Sequence, residues 1–115
     1  MGKSRVSSPA VVGSERTDVA ERVVEFLRRR HPVKPAECIA SSVCISVSTA
    51  QKWIERSSAP SSWMLVKMIH HYGPEFLAAV MGELAPEWLN ESAHTERRAR
   101  IAANIQKLQA ELDAI

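Results

Sequence analysis

The chain has 115 residues, 45% of them hydrophobic, and 15 Lys and Arg against 13 Asp and Glu give a formal net charge of +2. That length supports one small domain with a modest core, and no apolar run reaches the ~18 residues that a membrane-spanning helix needs. The N-terminus lacks the continuous apolar stretch of a signal peptide. The two cysteines, Cys38 and Cys44, have no histidines beside them at zinc-site spacing. The expectation is a cytoplasmic protein with reduced thiols, no metal and no cofactor.

Residues 1–16, MGKSRVSSPAVVGSER, hold Ser, Gly and Pro without a period and read as a disordered tail. Lys3 and Arg5 also suit an arm that reaches a DNA minor groove, although a loose tail is the favoured reading. A first helix is predicted from Asp18 to about Arg30. Asp18 and Glu21 stand at capping-box spacing, with Thr17 as an alternative cap. Val19, Val23, Phe26, Leu27 and Arg30 share one face. Arg28, Arg29 and Arg30 fall in the last turn, where they suit the helix dipole and can also meet phosphate. His31-Pro32 ends the helix.

Lys34 to Val43 predict a second short helix with Ile39, Ala40 and Val43 on one face. After a turn of Cys44, Ile45 and Ser46 comes a third helix, which with its Ser46 cap covers residues 46–56. Ser46 is a good N-cap, because its hydroxyl can accept a free backbone N–H. Ala50, Trp53 and Ile54 lie at i, i+3 and i+4 and form an inner face. Val47, Ser48, Gln51, Lys52 and Glu55 form the opposite one, and Ser57-Ser58 with Pro60 closes the segment. A helix, a three-residue turn and a helix make a helix-turn-helix unit. Ala40 is small enough for close packing, and Ile45 plugs the angle between the helices. The third helix, packed on one side and polar on the other, fits the DNA major groove.

Ser61 caps a fourth helix to Tyr72, with Leu65, Met68, Ile69 and Tyr72 inward. Gly73 suits its C-terminal end, and Pro74 opens a fifth helix to about Leu84. His70 and His71 are neighbours that point apart, so they are not a metal pair. Ala85-Pro86 breaks the chain, and Glu87 to Asn90 add a helical turn carrying Trp88 and Leu89. Thr95 to Ile115 read as one long helix. Its Ile101, Ile105, Leu108, Leu112 and Ile115 are spaced 4, 3, 4 and 3, a heptad seam of about two repeats. The seam serves either a partner helix in a homodimer, the favoured reading, or packing on its own domain. The fold class is therefore all-α: a disordered tail (1–16), a compact five-helix helix-turn-helix domain (17–91) and a C-terminal amphipathic, short coiled-coil-like helix (92–115).

Ile39-Ala40, Ile45-Ser46, Thr49, Trp53 and Pro60 match the spacing L-A-x-x-x-G-V-S-x-x-T-I-x-x-W-x-x-G-x-x-x-P. On these residues the chain resembles the Cro/lambda-repressor-like (XRE) helix-turn-helix regulators over about residues 18–72. Two positions depart from the pattern. Cys44 stands at the turn glycine, and Arg56 at the glycine that ends the recognition helix; both places often need a positive φ. The resemblance implies a lambda-repressor-like domain in which Trp53 is core. It implies that Val47, Ser48, Gln51 and Lys52 read bases, and each has suitable chemistry: a methyl contact to thymine, a hydroxyl, an amide for adenine, an ammonium for guanine. Lys34, Arg56, Ser57, Ser58 and Lys67 fit phosphate contacts.

The charge distribution agrees. From Arg28 to Lys67 there are seven bases and two acids, a net of +5; from Glu75 to Glu91 there are four acids and no base. A basic half that holds the helix-turn-helix suits an oriented approach to phosphate. Catalysis has little support, since no Gly-rich phosphate loop, HExxH or recognisable carboxylate pair is present. Cys44 near a helix N-terminus permits a redox role, but a buried turn thiol is the favoured reading. The expected function is a dimeric, sequence-specific regulator on a palindromic double-stranded operator. It would be a bacterial or phage-encoded repressor of the nucleoid. The alternative is a protein-interaction module or antitoxin-like adaptor that uses the C-terminal helix to bind a different protein.

Overall fold

The computed structural model describes the backbone from Pro9 to Ile115 and the side chains from Asp18 onward. The residues 1–8 of the expected tail, with Lys3 and Arg5, lie outside the described residues. The described chain is helical, in the order α1 (Pro9–Arg30), α2 (Pro35–Val43), α3 (Val47–Ile54), α4 (Ser62–Tyr72), α5 (Pro74–Met81), a 3-10 turn (Gly82–Leu84) and α6 (Glu87–Asp113). No described helix is long and apolar enough to cross a membrane.

Helices α1 to α5 enclose one core. Val23, Phe26 and Leu27 of α1 meet Ile39 and Val43 of α2, Ala50, Trp53 and Ile54 of α3, Met68 and Tyr72 of α4, and Phe76 of α5. The aromatic centre is edge-to-face: Phe26 lies 5.4 Å from Tyr72 and 5.2 Å from Phe76 between ring centroids. That geometry brings ring edges against ring faces, the favoured arrangement of their quadrupoles.

The caps explain most boundaries. The Ser61 hydroxyl accepts the Met64 N–H at 3.3 Å and starts α4. Gly73, at φ 81°, ends α4 by donating its N–H to the Ile69 carbonyl at 2.8 Å, and Pro74 opens α5. Gly73 also admits the Glu96 carboxylate of α6, since a Cβ there would stand 2.7 Å from Glu96 Oε2.

Helix α3 is shorter than the expected 46–56, α5 stops at Met81 before the 3-10 turn rather than at Leu84, and two larger differences lie toward the chain ends. Helix α1 begins at Pro9 rather than Asp18, so residues 9–16, assigned to the loose tail, are helical. Proline is well suited to a first helical turn, where its missing N–H has no partner to lose. The Asp18–Glu21 capping box therefore does not form, and Glu21 pairs with Arg56 instead. At the other end, the turn at 87–90 and the helix from Thr95 are one continuous helix, α6. The division at 91/92 falls inside it. Leu89, fully buried, anchors its first turns, and Ala93, Glu96 and Arg100 continue that half-buried face along the domain. Beyond Arg100 every residue is exposed. This projecting segment helps give the molecule its 65 Å length.

At the C-terminal end of α1, His31 Nε2 lies 2.8 Å from the Tyr72 hydroxyl, in a hydrogen bond whose direction follows the tautomer. Burial, then the nearby Arg30 and His71, hold its pKa below the ordinary histidine value. The unfolded chain therefore takes up a proton near pH 6.5 while the folded chain does not. Stability tied to His31 is present above pH 6.5 and is lost as the pH falls from there through the lowered folded value. Denaturant midpoints between pH 7 and 5 should decline with a slope no steeper than one proton, and His31→Gln should flatten that decline. An unchanged slope in the variant would assign it elsewhere.

Candidate nucleic-acid interface

The predicted helix-turn-helix segment folds as α2, a turn at 44–46 and α3. Ser46 is extended at φ −74°, ψ 151°, and its Oγ accepts the Thr49 N–H at 3.1 Å, which starts α3. Ala50 and Trp53 are buried in the core with Ile54, and the half-buried Ile45 packs against the same cluster. With this face fixed, Val47, Ser48, Gln51, Lys52 and Glu55 are all exposed together on the other. The structure thus brings the four expected base-reading residues onto one surface of one short helix.

Both helices of the unit end in a left-handed residue at the two positions where the resembled pattern has glycine. Cys44 has φ 59° and Arg56 φ 63°. After α2, the Ile45 N–H reaches back to the Ala40 carbonyl at 3.1 Å. After α3, the Arg56 N–H bonds the Trp53 carbonyl at 3.0 Å and the Ser57 N–H bonds the Lys52 carbonyl at 3.0 Å. This is the paired closure of a Schellman motif. An L-residue in this region costs ~1–2 kcal/mol, against which glycine carries an entropic cost of ~0.5–1 kcal/mol. Cys44→Gly should therefore raise the unfolding free energy by about 0.5–1 kcal/mol in denaturant titration. An equal or lower midpoint would mean that Cys44 carries no strain.

The same backbone corrects the reading of Cys44 as a buried turn thiol. It is exposed, whereas Cys38 is half-buried with its thiol donating to the Val33 carbonyl at 3.6 Å. Lys34, before α2, is a third left-handed residue at φ 52°, and it is exposed.

The expected phosphate residues fare unevenly. Ser57 and Ser58 are exposed immediately after α3, and the Ser57 hydroxyl donates to the Lys52 carbonyl at 3.3 Å. Lys34 sits at the α1–α2 corner, and Lys67 is half-buried on α4. Arg56 is already engaged: its Nε donates to Glu21 Oε2 at 2.5 Å, tying the end of α3 to α1. That bond holds the Glu21 carboxyl below its usual pKa and the Arg56 guanidinium above its own. Arg30 is engaged as well, paired with Glu75 at 3.2 Å and lying over the Phe26 ring at 4.9 Å. Both carboxylates lie outside residues 28–67, so two of the seven bases there are neutralised and the net of +5 falls to +3. On α3 itself, the Gln51 side-chain amide donates to Glu55 at 2.9 Å, which occupies one of the groups expected to read adenine.

Four of the heptad residues lie on the projecting part of α6; the helix ends at Asp113, so Ile115, expected inside it, falls just beyond. Ile101 is 43% exposed, Ile105 57%, Leu108 63%, Leu112 65% and Ile115 fully exposed. Ile101 also lines a cavity between α1, α5 and α6. Sequence reasoning missed the ion cluster at that junction, where Arg30 and Arg100 both bond Glu75. One signal was present: an arginine at position 30 on the core-facing stripe of α1 requires a partner. Among the described residues no group of three or more His, Cys, Asp or Glu could hold a metal. No protein-family model, no curated protein and no solved structure matches this chain.

Proposed function

We propose that this protein is a sequence-specific regulator that binds double-stranded DNA as a homodimer, inserting α3 (Val47–Ile54) into the major groove. The observation that carries this reading is the outward face of α3. Val47, Ser48, Gln51 and Lys52 are exposed side by side while Ala50, Trp53 and Ile54 fix the helix to the core. A rigid helix that presents an apolar methyl, a hydroxyl, an amide and an ammonium has the donors and contacts that distinguish base pairs in the major groove. Phosphate contacts then fall to Lys34, Ser57, Ser58 and Lys67, with Arg56 contributing only through groups its Glu21 bond leaves over. The exposed seam of α6 supplies the dimer contact, and two linked readers gain affinity on a palindromic site. Such a protein would act on the nucleoid as a repressor by occupying its operator.

The test is fluorescence-anisotropy binding to DNA from upstream of the protein's own gene and to a scrambled duplex, at two salt concentrations. The expected result is preference for the native duplex and a steep loss of affinity with salt, from release of counterions. Weak, equal binding to both would reject that operator. A second reading is favoured by one observation. Four large apolar side chains of the α6 seam and the terminal Ile115 stand exposed while the basic segment retains a net of only +3. In that reading α6 holds a different protein, as an antitoxin-like adaptor would, and DNA binding is weak or absent.

A further inference from the structure

The junction of α1, α5 and α6 holds a half-open cavity of about 730 Å³. Four guanidinium groups line it, from Arg29, Arg30, Arg97 and Arg100, beside His94 and a single carboxylate, Glu75. Glu75 is only 11% exposed and is used on both oxygens. Its Oε1 accepts from Arg30 at 3.2 Å and from Arg100 Nε at 3.2 Å; its Oε2 accepts from Arg100 at 2.7 Å. Arg29 and Arg97 make no ion pair with a carboxylate among the described residues. With the half-buried Glu96 carboxylate also close enough to act on Arg30 and Arg100, four positive charges face two negative ones, a surplus of +2 in a concave, half-open space. Burial and the neighbouring Arg100 accordingly push the Arg30 pKa down.

The remaining wall is apolar. Ile101 and three alanines of α5 and α6 line the cavity, while the Phe26 ring at its floor is buried and covered by the Arg30 guanidinium. The volume is several times that of a phosphate or carboxylate group and falls in the ~300–1,000 Å³ range of small-molecule sites. Guanidinium groups match planar and tetrahedral oxyanions through paired N–H donors. We propose that this cavity binds a small amphiphilic anion, with a phosphate or carboxylate head on Arg29 and Arg97 and a compact aromatic or aliphatic body against Ile101 and the alanines Ala78, Ala79 and Ala93. The site stands apart from α3 and does not depend on α3 reading DNA. Its occupant bridges α1 and α6 at the point where the apolar seam leaves the domain.

Phenyl phosphate, titrated calorimetrically into the full chain at low ionic strength, is the probe, with inorganic phosphate as comparison. Arg29 and Arg97 are exposed and outside the Glu75 cluster, so the double variant Arg29→Ala/Arg97→Ala should keep the wild-type unfolding midpoint. The expected result is saturable one-to-one binding of phenyl phosphate, about tenfold or more tighter than inorganic phosphate, an increment of ~1.4 kcal/mol. The double variant should lose the saturable signal, and amide shifts in two-dimensional NMR should cluster on α1, α5 and α6. Absence of saturable binding, equal affinity for inorganic phosphate, unchanged binding by the folded double variant, or shifts confined to α3 would each overturn the assignment.

Discussion

Leu108→Asp is expected to abolish the proposed homodimer while leaving the domain folded. Beyond Arg100 every residue of α6 is exposed, and Leu108 is 63% exposed near the middle of the seam. The exposed stripe of Ile105, Leu108, Leu112 and Ile115 continues from a helix already anchored by Leu89, so the segment meets no new nucleation cost. Among the described residues nothing in its own chain covers its apolar edge. Fully burying one such side chain stabilises by ~1.5–3 kcal/mol, and a symmetric dimer forfeits that burial twice when one residue changes. Two aspartates facing each other in the seam add repulsion and desolvation. A loss of ~3–6 kcal/mol is therefore expected, or roughly 10²–10⁴ in the dissociation constant.

Sedimentation equilibrium across a concentration series reads this directly. Wild type should show a concentration-dependent dimer, because two heptads make a modest interface. Leu108→Asp should remain a monomer throughout with an unchanged unfolding midpoint. A monomeric wild type would reject the homodimer and favour a different partner for α6. A variant that stays dimeric would place the interface elsewhere, for which the exposed Trp63, Leu84 and Trp88 are the obvious side chains to substitute next.

The parts of this fold that were legible in the sequence are those with local causes. Ser46 and Ser61 cap their helices through a hydroxyl and an N–H three residues on, so the signal lies within one turn. The inner face of α3 follows from spacing alone, and Ala50, Trp53 and Ile54 are buried as that spacing requires. The two positions where glycine is missing from the resembled pattern, Cys44 and Arg56, adopt the positive φ that glycine would supply. The sign of a backbone angle was thus readable where the direction of the Cys44 side chain was not. The start of α1 at Pro9 was obscured because proline signals a loop and a helix N-terminus equally. The continuity of α6 was obscured by the polar run Asn90-Glu91-Ser92, which interrupts the apolar period although the backbone does not break. The ion pairs Arg56–Glu21, Arg30–Glu75 and Arg100–Glu75 join residues far apart in sequence, and no local pattern encodes them. They bear on the proposed DNA surface because they engage Arg30 and Arg56 of the expected basic segment and leave Lys52 as the cation of α3's outward face.

On the proposed reading, Lys52→Ala should accordingly produce the largest loss in DNA binding of any alanine substitution on the outward face of α3. Lys52 is exposed and, among the described residues, forms no ion pair, whereas the Gln51 amide must first leave Glu55 before it can meet a base. The Lys52 backbone is also held firmly: its carbonyl accepts the Ser57 N–H at 3.0 Å, the Ser58 N–H at 3.4 Å and the Ser57 hydroxyl at 3.3 Å. A long flexible side chain is therefore launched from a fixed point in the last turn of the helix. Loss of a base-reading lysine costs ~1–3 kcal/mol per half-site. A palindromic site occupied by two copies loses it twice, or ~2–6 kcal/mol when the half-sites contribute independently. The pattern across sequences decides the role. If Lys52 reads guanine, the variant loses affinity for the operator and becomes indifferent to substitution of one base pair in each half-site. If Lys52 touches only phosphate, affinity falls equally for every duplex, and the slope of log affinity against log salt declines by ~0.9 for each phosphate no longer neutralised. Unchanged binding to a duplex that wild type prefers would take the outward face of α3 out of the groove altogether.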